Sequence, residues 1–119
     1  MPVSIQGFCH CGQVGFELSA EPKHLVDCNC TVCRRLGALW GHVDTTHFRR
    51  LGDGKTIRYL QGDQTLSQHT CANCGCTTHW EGEGQYADRS AANFRMCEPE
   101  LLARYEIRRF DGFDTWEFL

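Results

Sequence analysis

Cys9-His10-Cys11-Gly12, Cys28-Asn29-Cys30-Thr31-Val32-Cys33 and Cys71-Ala72-Asn73-Cys74-Gly75 gather seven of the chain's nine cysteines into three short clusters. Thiolates at this spacing grip a zinc ion from a single backbone turn, and two such pairs complete a closed tetrahedral site of four sulfurs. Joining Cys9 and Cys11 to the distant Cys71 and Cys74 would clamp the first strand onto the later sheet, so that metal binding becomes folding energy. Glycine after each pair fits a tight turn that exposes backbone N–H groups toward sulfur.

The triplet Cys28, Cys30 and Cys33 supplies only three sulfurs. A second zinc held there keeps one corner for water or an incoming thiol, and would hold that thiol ionised, ready to add to an aldehyde carbon or to leave one. A helix opening at Thr31, together with Arg34 and Arg35, would favour thiolate at the triplet. Either arginine is also a candidate to bind substrate carboxylate. The alternative is a second closed site with a distant fourth ligand. Cys76 and Cys97 fit better as small buried packing groups, and His10 should point outward. His69 and His79 read as surface or satisfied core residues. His42 and His47 follow the triplet, but their spacing demands no ligation. Trp40, Trp80, Phe94 and Trp116 read as core.

Composition sets the frame. The chain has 119 residues, 41% of them apolar, which suits one soluble domain over residues 1–119 that is small enough to benefit from a metal staple. No run of about 18 apolar residues is present, so a membrane-spanning helix is not expected. The N-terminal Met1-Pro2-Val3-Ser4-Ile5-Gln6 carries no secretory pattern. A cytoplasmic, reducing location is therefore expected, where cysteines take metal in preference to disulfides. Net charge is −3, or about −6 with two zinc ions on seven thiolates. That balance argues against a nucleic-acid partner. Residues 34–58 nevertheless carry Arg34, Arg35, Arg49, Arg50, Lys55 and Arg58 against Asp44 and Asp53, a local positive surplus that suits a small anionic ligand.

Hydrophobic periodicity is mostly two. Val14, Phe16 and Leu18 alternate with polar or small residues, and further strands are expected at residues 24–28, 38–43, 56–60, 65–70, 77–81, 91–96 and 105–110. Gly52-Asp53-Gly54, Gln61-Gly62-Asp63, Gly82-Glu83-Gly84 and Asp111-Gly112 supply the turns. Thr31 caps a short helix through Leu36 that Gly37 stops, and residues 99–103 form another single turn. The expectation is a mainly β domain, a sandwich or a folded-over sheet, with short helical turns.

Taken in order, Cys-x-Cys-Gly, Cys-x-Cys-x-x-Cys-Arg-Arg, Gly62-Asp63 and Cys-x-x-Cys-Gly resemble the glutathione-dependent formaldehyde-activating enzyme family, which also includes centromere protein V. The resemblance runs from about Phe8 to Gly112. It implies two packed antiparallel sheets stapled by zinc on Cys9, Cys11, Cys71 and Cys74, with a catalytic zinc on Cys28, Cys30 and Cys33. It also implies carbon–sulfur lyase chemistry on a small thiol and an aldehyde: glutathione plus formaldehyde to S-hydroxymethylglutathione, or the reverse. Two other readings compete. One is a non-enzymatic zinc-stabilised module that recruits a protein partner; the other is an iron–sulfur protein.

Overall fold

The structure is a computed structural model that describes residues 3–60 and 62–119. The chain is mainly β, in two sheets. The smaller has the order β1-β2-β5, from β1 (Ile5–Phe8), β2 (Gly15–Leu18) and β5 (Phe48–Leu51). The larger runs β10-β3-β4-β9-β8-β7-β6. Its strands are β3 (Leu25–Cys28), β4 (Trp40–Asp44), β6 (Thr56–Leu60), β7 (Leu66–Cys71), β8 (Thr77–Gly82), β9 (Arg89–Asn93) and β10 (Ile107–Phe110). Two short α-helices, α1 (Thr31–Leu36) and α2 (Pro99–Leu102), complete the fold.

Both faces of the central strands of the larger sheet are covered, and the alternation of side chains explains how. Leu25 and Ala92 join Ile5, Phe16, Leu18, Leu39, Phe94 and Cys97 in a core between the sheets. Their immediate neighbours Val26 and Ala91 turn to the other face, where they pack with Ala38, Trp40 and Trp80. Leu36 of α1, Cys28, Cys33 and Phe110 cover that second core. Phe16 and Leu18 are fully buried, each contributing about 1.5–3 kcal/mol of apolar burial. A third cluster, Cys9, Val14 and Cys71, lies against Cys74, Cys76 and Met96.

Four expectations need correction. The larger sheet is mixed, not antiparallel: β10 pairs with β3 in parallel, Ile107 opposite Leu25 through Phe110 opposite Cys28. The chain reaches β10 after crossing the sheet, so the last strand adds at the edge in the direction of β3. Strands β1 and β5, which pair with β2 on either side, are too short and too polar for their period to stand out. The strand expected over residues 91–96 ends at Asn93, whose side-chain oxygen accepts from the Arg95 N–H and opens a 3-10 turn, Phe94–Met96. The helix from Thr31 to Leu36 forms as expected and stops at Gly37, but its cap is Cys30, whose Sγ accepts from the Cys33 N–H. In the Gln61-Gly62-Asp63 turn, Gln61 lies outside the described residues, as do Met1 and Pro2 in the N-terminal segment. No helix among the described residues is long and apolar enough to cross a membrane.

Candidate metal centres

Cys9, Cys11, Cys71 and Cys74 come together with all four sulfurs within 4.8 Å of one another. Cys11 Sγ lies 3.6 Å from both Cys9 Sγ and Cys71 Sγ. Sulfurs about 2.3 Å from a central zinc stand about 3.8 Å apart along a tetrahedral edge, so the donor set fits such an ion. The two pairs are built alike. Gly12 and Gly75 take φ of 81° and 83°, a left-handed turn that suits glycine. Their own N–H groups close the turns onto the Cys9 and Cys71 carbonyls at 3.0 and 2.9 Å. The sulfurs are reached by other amides: Val14 N–H donates to Cys9 Sγ at 3.3 Å and Cys74 N–H to Cys71 Sγ at 3.5 Å. The Cys76 and Cys11 amides hold the Cys74 thiol down to about 5, whereas burial pushes Cys9 up to about 11. The four sulfurs thus sit in unlike surroundings, Cys9 and Cys71 buried and Cys11 exposed.

Cys28, Cys30 and Cys33 form a second group within the same distance limit, and among the described residues no fourth histidine, cysteine or carboxylate side chain joins it. Cys28 ends β3, Cys30 caps α1 and Cys33 sits one turn into that helix. The Cys30 N–H donates to Cys28 Sγ at 3.5 Å and the Cys33 N–H to Cys30 Sγ at 3.3 Å. The hydrogen bond from the Cys33 thiol brings Cys28 down to about 6, against the opposing effect of burial. The same contact, with burial, pushes Cys33 up. Arg34 and Arg35 do not figure among the causes of these shifts. Both are exposed on α1, and Arg35 Nη1 donates back to the Thr31 carbonyl at 2.7 Å.

The positive surplus of residues 34–58 is dispersed by folding. Arg49 pairs with Glu17 at 2.6 Å on the smaller sheet, Arg58 pairs with Glu83, and Arg50 donates to the Gly54 carbonyl. Arg34 and Arg35 alone stay next to the triplet in the chain.

Sequence reasoning missed three contributors. Trp40, read as core, is 2% exposed, yet its indole Nε1–H donates to Cys33 Sγ at 3.3 Å. The segment after β10 closes over the triplet. Asn29 Nδ2 donates to Asp111 Oδ1 at 3.1 Å, the Phe113 N–H donates to Asn29 Oδ1 at 3.0 Å, and a Cβ on Gly112 would stand 2.6 Å from Cys28 Sγ. Asp111-Gly112 carried only a turn signal. The third group is His69, His79 and Glu81, whose ligand atoms also cluster. His79 is not a satisfied core residue, because its Nε2 is buried with no hydrogen-bond partner. In-register placement of the two histidines across the β7–β8 hairpin was the available signal.

Trp80 and Phe94 are core as expected, but Trp116 is not: it lies in the segment after β10 and is 71% exposed. His10 is exposed. His42 stacks edge-on against Trp80 with centroids 5.4 Å apart, and His47 Nδ1 meets Ser19 Oγ at 3.0 Å. Cys97 belongs to the intersheet core, where burial pushes its thiol up to about 12, and Cys76 packs beside Val14 and Cys71.

A mainly β chain with two separate thiol groups, one of four and one of three, defines a cysteine-rich protein equipped to bind metal. The family model for glutathione-dependent formaldehyde-activating enzyme matches residues 4–99, and the chain belongs to that family. Its fold is also similar to the crystal structure of a Rhodobacter sphaeroides protein from structural genomics. The TM-score is 0.69 and the identity 26%, over 87% of this chain and 99% of that one.

Proposed function

We propose that the chain is a zinc-dependent carbon–sulfur lyase that joins a small thiol to an aldehyde, glutathione to formaldehyde being the first pair to test, and also runs the reverse reaction. The family supports a formaldehyde-activating, glutathione-related role. The observation that carries the finer reading is the group of three thiols, which no fourth side-chain ligand joins among the described residues. Zinc bound there would stabilise an incoming thiol as its thiolate at neutral pH.

The rest falls to the chain. Cys28, Cys30 and Cys33 hold the site on one continuous strand-to-helix segment, and their backbone amides and the Trp40 indole N–H spread the negative charge of the sulfurs. Arg34 and Arg35 are the proposed partners for substrate carboxylates, of which glutathione has two. In the forward direction the substrate sulfur donates its electron pair to the aldehyde carbon. The C–S bond forms as the carbonyl π pair moves to oxygen. That oxygen takes up the proton the thiol gave away, so thiol and aldehyde combine with nothing left over. In this reading the four-cysteine group is structural zinc, and Cys9, Cys11, Cys71 and Cys74 play no part in turnover.

Cys30→Ser tests the assignment. Turnover of S-hydroxymethylglutathione should vanish, one metal equivalent should be lost, and the circular dichroism spectrum should be unchanged. A fully active variant would overturn the proposal.

A further inference from the structure

We propose that His69, His79 and Glu81 form a third metal site, one made of nitrogen and oxygen donors that takes a divalent first-row transition ion. It is separate from both cysteine groups. His69 and His79 face each other across the β7–β8 hairpin, their rings nearly parallel at 8° with centroids 4.6 Å apart. Glu81, two residues beyond His79, shares its face of the strand. That face looks into the intersheet core, where the His79 ring meets Phe48 at 4.9 Å. Trp80, one residue away, turns to the opposite face with Cys28 and Cys33.

The carboxylate places one oxygen on each ring: Oε2 lies 3.3 Å from His69 Nε2 and Oε1 lies 3.4 Å from His79 Nε2. Ligands about 2.1 Å from an ion stand about 3.4 Å apart along a tetrahedral edge, so this spacing is that of donors around a common centre. The His79 side chain is 0% exposed, and its Nε2 makes no hydrogen bond to Glu81 or to any other group. The other nitrogen explains why. Thr78 Oγ1 lies 3.4 Å from the His69 carbonyl and 2.8 Å from His79 Nδ1; when the hydroxyl donates to that carbonyl, its oxygen accepts from Nδ1–H. In that tautomer Nε2 presents a lone pair to a carboxylate oxygen 3.4 Å away. Two electron-rich atoms held that close favour a cation between them, and a metal ion fits there as well as a proton does.

His69 differs, because its Nε2 already has Ser67 Oγ at 3.2 Å, a hydroxyl that also reaches the Glu81 carbonyl at 3.3 Å. An ion would have to take the place of that contact while the Thr56 hydroxyl, 3.0 Å from Nδ1, holds the ring. A ligand imidazole whose second nitrogen is held by an oxygen is the usual arrangement at metal centres.

Two imidazoles and one carboxylate suit zinc, iron(II) or cobalt(II) far better than magnesium or calcium. The site is not sealed. Glu81 lines a cleft of about 290 Å³, also bordered by Phe48, Arg50 and Ser90, so the carboxylate side of the group can be reached from solvent.

The test fills the cysteine sites of the full chain with cadmium, which prefers thiolate, and then titrates cobalt(II). Wild type should bind one cobalt with weak ligand-field absorption and no thiolate-to-cobalt charge-transfer band. Glu81→Gln, whose half-exposed side chain can be exchanged without opening a cavity, should bind it at least tenfold more weakly while retaining its cadmium. Magnesium should not compete. Failure of the wild type to bind cobalt once its sulfurs are filled would overturn the proposal, as would equal binding by Glu81→Gln. Neither outcome bears on the lyase reading, which rests on the triplet.

Discussion

The two thiol groups use the same element at nearly the same spacing, yet they are positioned by opposite means. The four-cysteine group is assembled from the loop after β1 and the hairpin after β7, segments far apart in the chain, and two of its members, Cys9 and Cys71, are buried. The triplet comes from six consecutive residues of one strand, cap and helix, all three half-buried. A site that gathers distant segments contributes to folding stability. A local group near the surface contributes little, and in the proposed reading its three sulfurs leave room for a ligand. The difference teaches that cysteine count matters less than how much of the chain must be folded before the donors meet.

Breaking each site in turn should expose the contrast. Cys71→Ser is expected to have the largest effect. With zinc held by the four cysteines as proposed, its loss removes on the order of 10 kcal/mol, as much as the whole stability of a small domain, so circular dichroism should find the variant unfolded. Cys30→Ser should stay folded, with Tm lowered by less than about 5 °C, and should lose all turnover. Gly112→Ala places a methyl group against Cys28 Sγ; zinc affinity at the triplet should fall roughly 10–100-fold, with the four-cysteine site unaffected. Trp40→Phe keeps most of the packing but removes the N–H that Cys33 accepts, and a smaller loss of about tenfold is expected in the same competition assay. Smallest of all, Arg34→Ala should raise KM for glutathione a few-fold, on the order of 1 kcal/mol for an exposed charge pair, and leave kcat alone.

Much of this was legible in the chain because the informative residues were local. Cys-x-Cys-Gly and Cys-x-x-Cys-Gly announce turns whose geometry depends on a few neighbouring dihedrals, and the stop of α1 at Gly37 follows from the same kind of information. What the sequence concealed was long-range. Parallel addition of β10 to β3 depends on the path of the chain across the sheet, and β1 and β5 gain their stability from pairing with β2. Trp40 looked apolar because its single donor atom becomes visible only when Cys33 is folded against it. The arginines of residues 34–58 looked like one patch because adjacency in sequence was read as adjacency in space, whereas Glu17 and Glu83 claim Arg49 and Arg58. His79 illustrates the converse: a histidine in a strand is usually satisfied, and only the folded surroundings of its Nε2 reveal that this one is not.

The most direct measurement is cadmium NMR of the fully loaded protein before and after addition of glutathione, which reports the donor set of each bound ion separately. One resonance should sit in the four-sulfur range and stay there, while a second, of three sulfurs with a light-atom ligand, should move into the four-sulfur range as the tripeptide thiol arrives. If the triplet's resonance already shows four sulfurs, or is unmoved by saturating glutathione, the distinction between a closed and an open centre is wrong.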